Sequence, residues 1–87
     1  MSKESLTENP VAVAFKVDGK IIDFTRKLDS WGVPLEWAVV EDGKVSHWLT
    51  TTHAINAVRR ADLLKEDLCI MQVAKVTEAE LKSAGLA

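Results

Sequence analysis

The chain has 87 residues, a formal net charge of −2 and a pI of about 5.6. This length gives room for one hydrophobic core, since domains run to about 100–150 residues. The slightly acidic charge gives no overall attraction to nucleic acid or to an anionic membrane. A hydrophobic content of 47% excludes a chain that is disordered throughout.

The N-terminal residues and the cysteine usage indicate a cytoplasmic protein. Residues 1–9 are small and polar and precede Pro10, which predicts a flexible tail followed by one domain over residues 10–87. The polar start has no signal-peptide pattern, and no apolar run approaches the ~20 residues of a membrane helix. Cys69 is the one cysteine, which is typical of a reducing compartment. We therefore expect a cytoplasmic location without membrane contact.

The first elements admit two interpretations. Residues 11–17 (VAVAFKV) alternate as in a strand, and Asp18-Gly19 then predicts a turn. The following large apolar residues recur at steps of three, four and three, which predicts a helix over 20–31 that ends before Gly32. A hairpin around Asp18-Gly19 is the alternative, and the helix is favoured because the spacing continues as far as Trp31. The residues concerned are Ile21, Phe24, Leu28 and Trp31.

The stretch WAVVEDGKVSHWL, residues 37–49, predicts a β-hairpin whose loop decides its register. A two-residue Asp42-Gly43 loop would pair Trp37 with Trp48. A three-residue loop with Gly43 left-handed pairs Trp37 with His47 and is favoured because it gives one coherent apolar face. That face comprises Leu35, Trp37, Val39, Val45, His47 and Leu49. The opposite face comprises Ala38, Val40, Ser46 and Trp48.

The remaining sequence completes a βαββαβ order. Thr50, Thr51 and Thr52 offer N-caps for a helix over residues 53–65, whose apolar face comprises Ala54, Ile55, Val58, Ala61 and Leu64. Residues 67–76 predict the last strand, and Thr77 with Glu80 predicts a capping box before a short C-terminal helix. The order resembles the ferredoxin-like, split βαβ arrangement, an α+β fold with a four-stranded antiparallel sheet and two helices on one face.

No motif in the sequence specifies a reaction. His47 and His53 are the candidate bases, and a threonine beside His53 could be a hydroxyl nucleophile, but helix capping and partial burial explain these residues more simply. Cys69 and the two histidines lack metal-ligand spacing. We expect no catalytic residue, no metal and no cofactor, and assign Cys69 to the core.

Two surfaces are candidate binding sites. The sheet face with Ala38, Val40 and Trp48, joined by Ala12 and Ala14 of the first strand, is too apolar to be left in water. The last helix through Leu81, a second copy of the chain or a partner protein should cover it. On the two predicted helices, four cations could form one basic patch: Arg26, Lys27, Arg59 and Arg60.

The sequence thus favours a small, non-catalytic protein–protein interaction module, a regulator, inhibitor or accessory subunit, acting through the apolar sheet face with a protein partner or as a homodimer. A nucleic-acid-associated module using the basic patch is the first alternative, although RNA-stacking aromatics are limited to Trp48. A small dimeric enzyme with His47 or His53 at a shared cleft is the second alternative.

Overall fold

The computed structural model describes residues 9–87, so most of the predicted tail lies outside the described residues. Antiparallel β-structure and two helices make up the described chain. The strands are β1 (Ala12–Val17), β2 (Lys20–Thr25), β3 (Asp29–Ser30), β4 (Val33–Pro34), β5 (Trp37–Glu41), β6 (Lys44–Leu49), β7 (Ile70–Gln72) and β8 (Ala74–Val76). The helices are α1 (Thr51–Leu64) and α2 (Glu78–Ser83).

The strands form three small sheets, with orders β2-β1-β8, β3-β4 and β6-β5-β7. Strands β7 and β8 are separated only by Val73, so one C-terminal stretch supplies the third strand of both larger sheets. The amide of Val73 donates to the carbonyl of Glu36 at 3.1 Å, which extends the β5–β7 ladder to the point where the stretch passes to β1. One stretch of chain therefore joins the two larger sheets. The Asp23 carboxylate of β2 adds a direct link, because it accepts a hydrogen bond from the Val45 amide of β6 at 3.2 Å.

The hairpins β1–β2 and β5–β6 share one design. Each turns through Asp-Gly, and both residues of each turn have positive φ, as the type I′ turn requires. In each hairpin the second strand carries one extra residue, Ile22 or Ser46, that forms a β-bulge. Beyond the bulge, an alanine faces an aromatic residue across the strands, Ala14 opposite Phe24 and Ala38 opposite Trp48. The chain thus builds the same hairpin twice.

The core centres on β1, which is buried on both faces. Ala12 and Ala14 lie on one face, and Val13 and Phe15 on the other. Leu81 of α2 is completely buried and packs against the alanine face together with Val76, Val11, Ile21 and Phe24. The capping box predicted at Thr77 and Glu80 is confirmed, and it starts the short helix that carries Leu81. The C-terminal helix therefore covers Ala12 and Ala14.

Helix α1 is confirmed where the sequence predicted it, from the threonine cap onward. The Thr50 hydroxyl accepts a hydrogen bond from the amide of His53 at 3.3 Å, and Lys65 ends the helix in a left-handed conformation. Two alanines, Ala54 and Ala61, are its buried residues. Because alanine side chains are short, the helix buries little apolar area against the rest of the protein.

The ferredoxin-like prediction is wrong, because the three sheets do not form one four-stranded sheet with two helices on one face. The helix predicted over 20–31 is also wrong. The bulge at Ile22 explains why the spacing was misleading. Ile21 pairs with Lys16 and Phe24 pairs with Ala14, so the side chains of Ile21 and Phe24 point to the same side of the hairpin. A bulged strand therefore places residues three apart on one face, as a helix does. The alternative hairpin around Asp18-Gly19 is the structure.

The predicted β5–β6 hairpin is confirmed, but its predicted register is wrong. The loop is Asp42-Gly43 alone, and the bulge then moves the pairing to Trp37 opposite Leu49 and Val39 opposite His47. Gly43 is left-handed, with φ +78°, as expected. Val45 pairs with Val40 and so lies with Ala38 and Trp48, opposite to the face assigned from strict alternation.

The Leu81 contact gives a stability prediction. We expect Leu81→Ala to lower the free energy of unfolding by about 2–5 kcal/mol, because it leaves a cavity against Ala12, Ala14 and Val76. Urea denaturation measures this loss. Leu63→Ala is the matched control, since Leu63 is 83% exposed and should change stability by less than about 0.5 kcal/mol. Equal losses in the two variants would contradict the packing role of α2.

Candidate functional site

A chain of polar contacts fixes the start of α1 against the start of β5. The indole Nε1 of Trp37 donates a hydrogen bond to the hydroxyl of Thr51 at 3.1 Å, and that hydroxyl donates to Glu36 Oε1 at 2.9 Å. Each donor in this chain thus has an acceptor within the protein. The contacts hold the Trp37 ring beside the first turn of the helix and leave its apolar surface to line a groove.

The groove lies between α1, β5 and β7 and has a volume of about 360 Å³. Apart from Thr51 and Arg59, its lining residues are apolar. Ile55 and Val58 keep 48% and 46% of their surface exposed, although they belong to the apolar face of the helix. The lining comprises Trp37, Thr51, Ala54, Ile55, Val58, Arg59 and Ile70. An open apolar groove of this kind suits the binding of an apolar group.

The two-stranded ribbon β3–β4 precedes the groove residue Trp37 in the sequence. It carries an exposed tryptophan, Trp31. Ser30 pairs with Val33, and Trp31-Gly32 forms the turn between them, with φ values of +55° and +80°. Trp31 is 99% exposed. A left-handed conformation is unfavourable for a bulky side chain, which cannot form the local hydrogen bonds that help Asn or Asp. The ribbon thus presents an indole at the cost of backbone strain.

The predicted sheet-face interface has little free surface. Ala38 is completely buried, and Val40 and Trp48 are half-buried. Trp48 lies opposite Ala38 across the β5–β6 pair, which confirms that these two side chains share a face. Ala38 contributes no exposed area to this face. The interface formed by Ala38, Val40 and Trp48 therefore stays a prediction.

The four cations of the predicted basic patch lie on different elements. Arg59 and Arg60 are exposed on α1, whereas Arg26 and Lys27 follow β2 and lie on no helix. Arg26 forms a bidentate ion pair with Glu78, with N–O distances of 2.8 and 3.1 Å. The patch was predicted on two helices that cover the same side of a sheet. In the described structure, only Arg59 and Arg60 of the four cations lie on a helix.

The histidines and the cysteine considered for catalysis and metal binding are exposed, whereas the helix cap Thr50 is buried. His47 Nδ1 lies 3.2 Å from the hydroxyl of Ser46, and His53 lies in the first turn of α1. Cys69 is exposed, so its assignment to the core is wrong. Within residues 9–87, no group of three or more histidine, cysteine, aspartate or glutamate side chains could hold a metal ion.

A larger and more polar cleft, of about 640 Å³, lies between the first hairpin turn and α2. Lys16 and Glu80 both line it and form an ion pair with each other at 3.2 Å. The charges of these two residues compensate each other, which leaves Lys20 as the further charged residue of the lining.

The Arg26–Glu78 pair shifts the pKa values of both groups. The hydrogen bond from Arg26 is the main cause that lowers the pKa of the Glu78 carboxyl, and the same bond raises the pKa of Arg26. Both side chains are partly exposed, so water screens the attraction. The pair attaches the first turn of α2 to the end of β2.

Comparison of the chain with protein-family models, curated proteins and solved structures gave no match. In the described part of the chain, no helix is both long enough and apolar enough to span a membrane.

Sequence reasoning identified some groove residues but not the groove. It placed Ile55 and Val58 on the apolar face of α1 and Trp37 on the coherent apolar face of the predicted hairpin. It missed Trp31, which it assigned to a helix. The dipeptide Trp31-Gly32 before Val33-Pro34 was the available signal, since glycine marks turns.

The ion pair predicts a pH effect. An unfolded glutamate titrates near pH 4.3, and Glu78 in the folded protein titrates lower. The added stability is therefore present above about pH 4.3 and is lost as the pH falls through the folded pKa. We expect wild type to melt above Glu78→Gln near pH 7 and the two to converge near pH 3. A difference in melting temperature that stays constant with pH would contradict this role.

The strained turn predicts an unusual substitution effect. In dilute protein, Trp31→Asn should raise the free energy of unfolding by about 1 kcal/mol, because asparagine tolerates a left-handed backbone and no packing is lost. Trp31→Ala keeps the strain and should change stability by less than about 0.5 kcal/mol. Chemical denaturation measures both. A large loss in Trp31→Ala would show that the indole packs within its own chain.

Proposed function

We propose that this protein is a small, non-catalytic protein–protein interaction module that binds an apolar side chain of another chain in the groove beside α1. The observation that carries the proposal is the groove itself, in which Ile55 and Val58 stay half-exposed beside Trp37. Regulator, inhibitor and accessory subunit are the roles that such a module serves.

The groove is suited to binding because the polar groups of Trp37 and Thr51 in its walls already form hydrogen bonds within the protein. The Trp37 N–H and the Thr51 hydroxyl are engaged with each other and with Glu36, so an incoming apolar group displaces water without leaving these donors unpaired. Aromatic residues and arginine are the side chains most enriched at the energetic centres of interfaces, and this groove has Trp37 and Arg59 on its walls.

The groove replaces the sheet face as the binding surface in this proposal. Ala38 has no exposed area, whereas Ile55 and Val58 together offer exposed aliphatic surface on one helix. Burying such surface stabilises a complex by about 25 cal/mol per Å² of apolar area, before the costs of association.

Site-specific photo-cross-linking in cells of the native source tests this function. A benzophenone amino acid at Val58 should give covalent adducts with another polypeptide, and adding Ile55→Asp should abolish them because a charge then enters the groove. The same photo-amino acid at Leu63, exposed on α1 outside the groove, is the matched control.

The adduct masses decide the outcome. Adducts at position 58 that exceed those at position 63 support the proposed function, whether the partner is another protein or a second copy. No adduct at position 58 beyond the control level would overturn it.

A further inference from the structure

We propose that Trp31 of one copy binds in the apolar groove of a second copy, and that the second copy returns the contact, so that two chains form a closed dimer. This inference rests on the proposed function, because it names the occupant of the groove. The occupant is a side chain of this same sequence, at the tip of the β3–β4 ribbon.

The first support is the state of Trp31 in the single chain. Its side chain is 99% exposed, at a position where its backbone is left-handed. The same turn is built twice elsewhere in the chain with aspartate, at Asp18 and Asp42, which adopt this conformation at lower cost. The tryptophan therefore gives nothing to the folded monomer that aspartate would not give.

The second support is size. A cavity of about 150 Å³ lined by aliphatic side chains holds a benzene molecule, so a groove of about 360 Å³ has room for one indole. Because the groove is open, the indole N–H can remain at its mouth in contact with water. Offset or edge-to-face contact with the Trp37 ring adds to the burial of apolar area.

The third support is charge. Arg59 is the charged residue among those that line the groove, and it is exposed. The ribbon carries an exposed acid, Asp29, two residues before Trp31. The two exposed side chains carry opposite charges, so an ion pair between Asp29 and Arg59 is compatible with Trp31 in the groove, and the guanidinium can also lie against the indole face.

The fourth support is closure. Trp31 and Trp37, a groove wall, are six residues apart, so the tip lies at most about 20 Å along the chain from the groove. A projecting group and a receiving groove that are joined by so short a segment of one chain can be exchanged reciprocally about a two-fold axis. Such a dimer ends with two chains instead of growing into a fibre.

Sedimentation equilibrium of the full chain over a range of concentrations tests the dimer. Wild type should approach twice the 9.6 kDa mass of the chain. Trp31→Ala and Val58→Asp should each weaken association at least about tenfold, as loss of a central aromatic contact does. Leu63→Asp is the matched control for a new charge on α1, and it should associate like wild type because Leu63 lies outside the groove.

A mixture of two variants makes the test specific. Trp31→Ala retains the groove, and Val58→Asp retains the tryptophan, so together they can form one of the two contacts. We expect the mixture to associate more strongly than either variant alone. Circular dichroism checks folding, and Trp31→Ala keeps the test valid if Val58→Asp does not fold.

Three results would overturn the inference: a wild-type chain that stays monomeric up to about 1 mM, a Trp31→Ala variant that dimerises like wild type, or a mixture that associates no better than its components. A monomeric wild type that still cross-links to a different protein from position 58 would overturn the dimer and leave the proposed function supported.

Discussion

The C-terminal stretch from Ile70 to Val76 is the constraint on which the rest of the structure depends. A two-stranded hairpin is at best marginally stable in water, and a third strand or a covering helix is needed for independent stability. This stretch supplies a third strand to both hairpins, to β5 through β7 and to β1 through β8. It then leads into α2, whose Leu81 closes the core over Ala12 and Ala14. Two repeated hairpins thus become one folded unit mainly through this stretch and α2, together with the hydrogen bond from the Val45 amide to the Asp23 carboxylate.

Local sequence chemistry predicted the turns and caps, whereas the β-bulges limited the prediction of faces. The positions of the Asp-Gly turns, the threonine cap of α1 and the capping box of α2 each depend on residues within four positions, which the sequence displays directly. The length of the second hairpin loop and the hairpin after Asp18-Gly19 were nevertheless predicted wrongly. A bulge depends on how two strands pair, and it reverses the alternation beyond it. Ile22 made β2 resemble a helix, and Ser46 moved Val45 to the other face. Nothing in the composition of either strand marks which residue bulges.

The groove follows from how α1 packs. Its buried residues are alanines, which bring the helix backbone close to the sheet and leave the longer Ile55 and Val58 at the margin of the contact. The sequence shows the apolar face of the helix but not how far around that face the contact extends. That extent depends on contacts between different elements, among them the Trp37–Thr51–Glu36 hydrogen bonds at the start of the helix. The composition of the groove was therefore partly predictable, and its openness was not.

The small core and the exposed tryptophan both limit the free energy of unfolding of the single chain. Five of the eleven buried apolar residues of the described chain are alanines, while Trp31 is exposed and Ile55 and Val58 are half-exposed. A small domain has little stability to spare, so strain at the Trp31 turn is a substantial fraction of it. Binding of the indole by a groove on another chain adds burial that the monomer lacks, and the added stability then depends on protein concentration. The proposed dimer would therefore be more stable than the single chain, because it would bury the Trp31 indole together with the exposed surface of Ile55 and Val58.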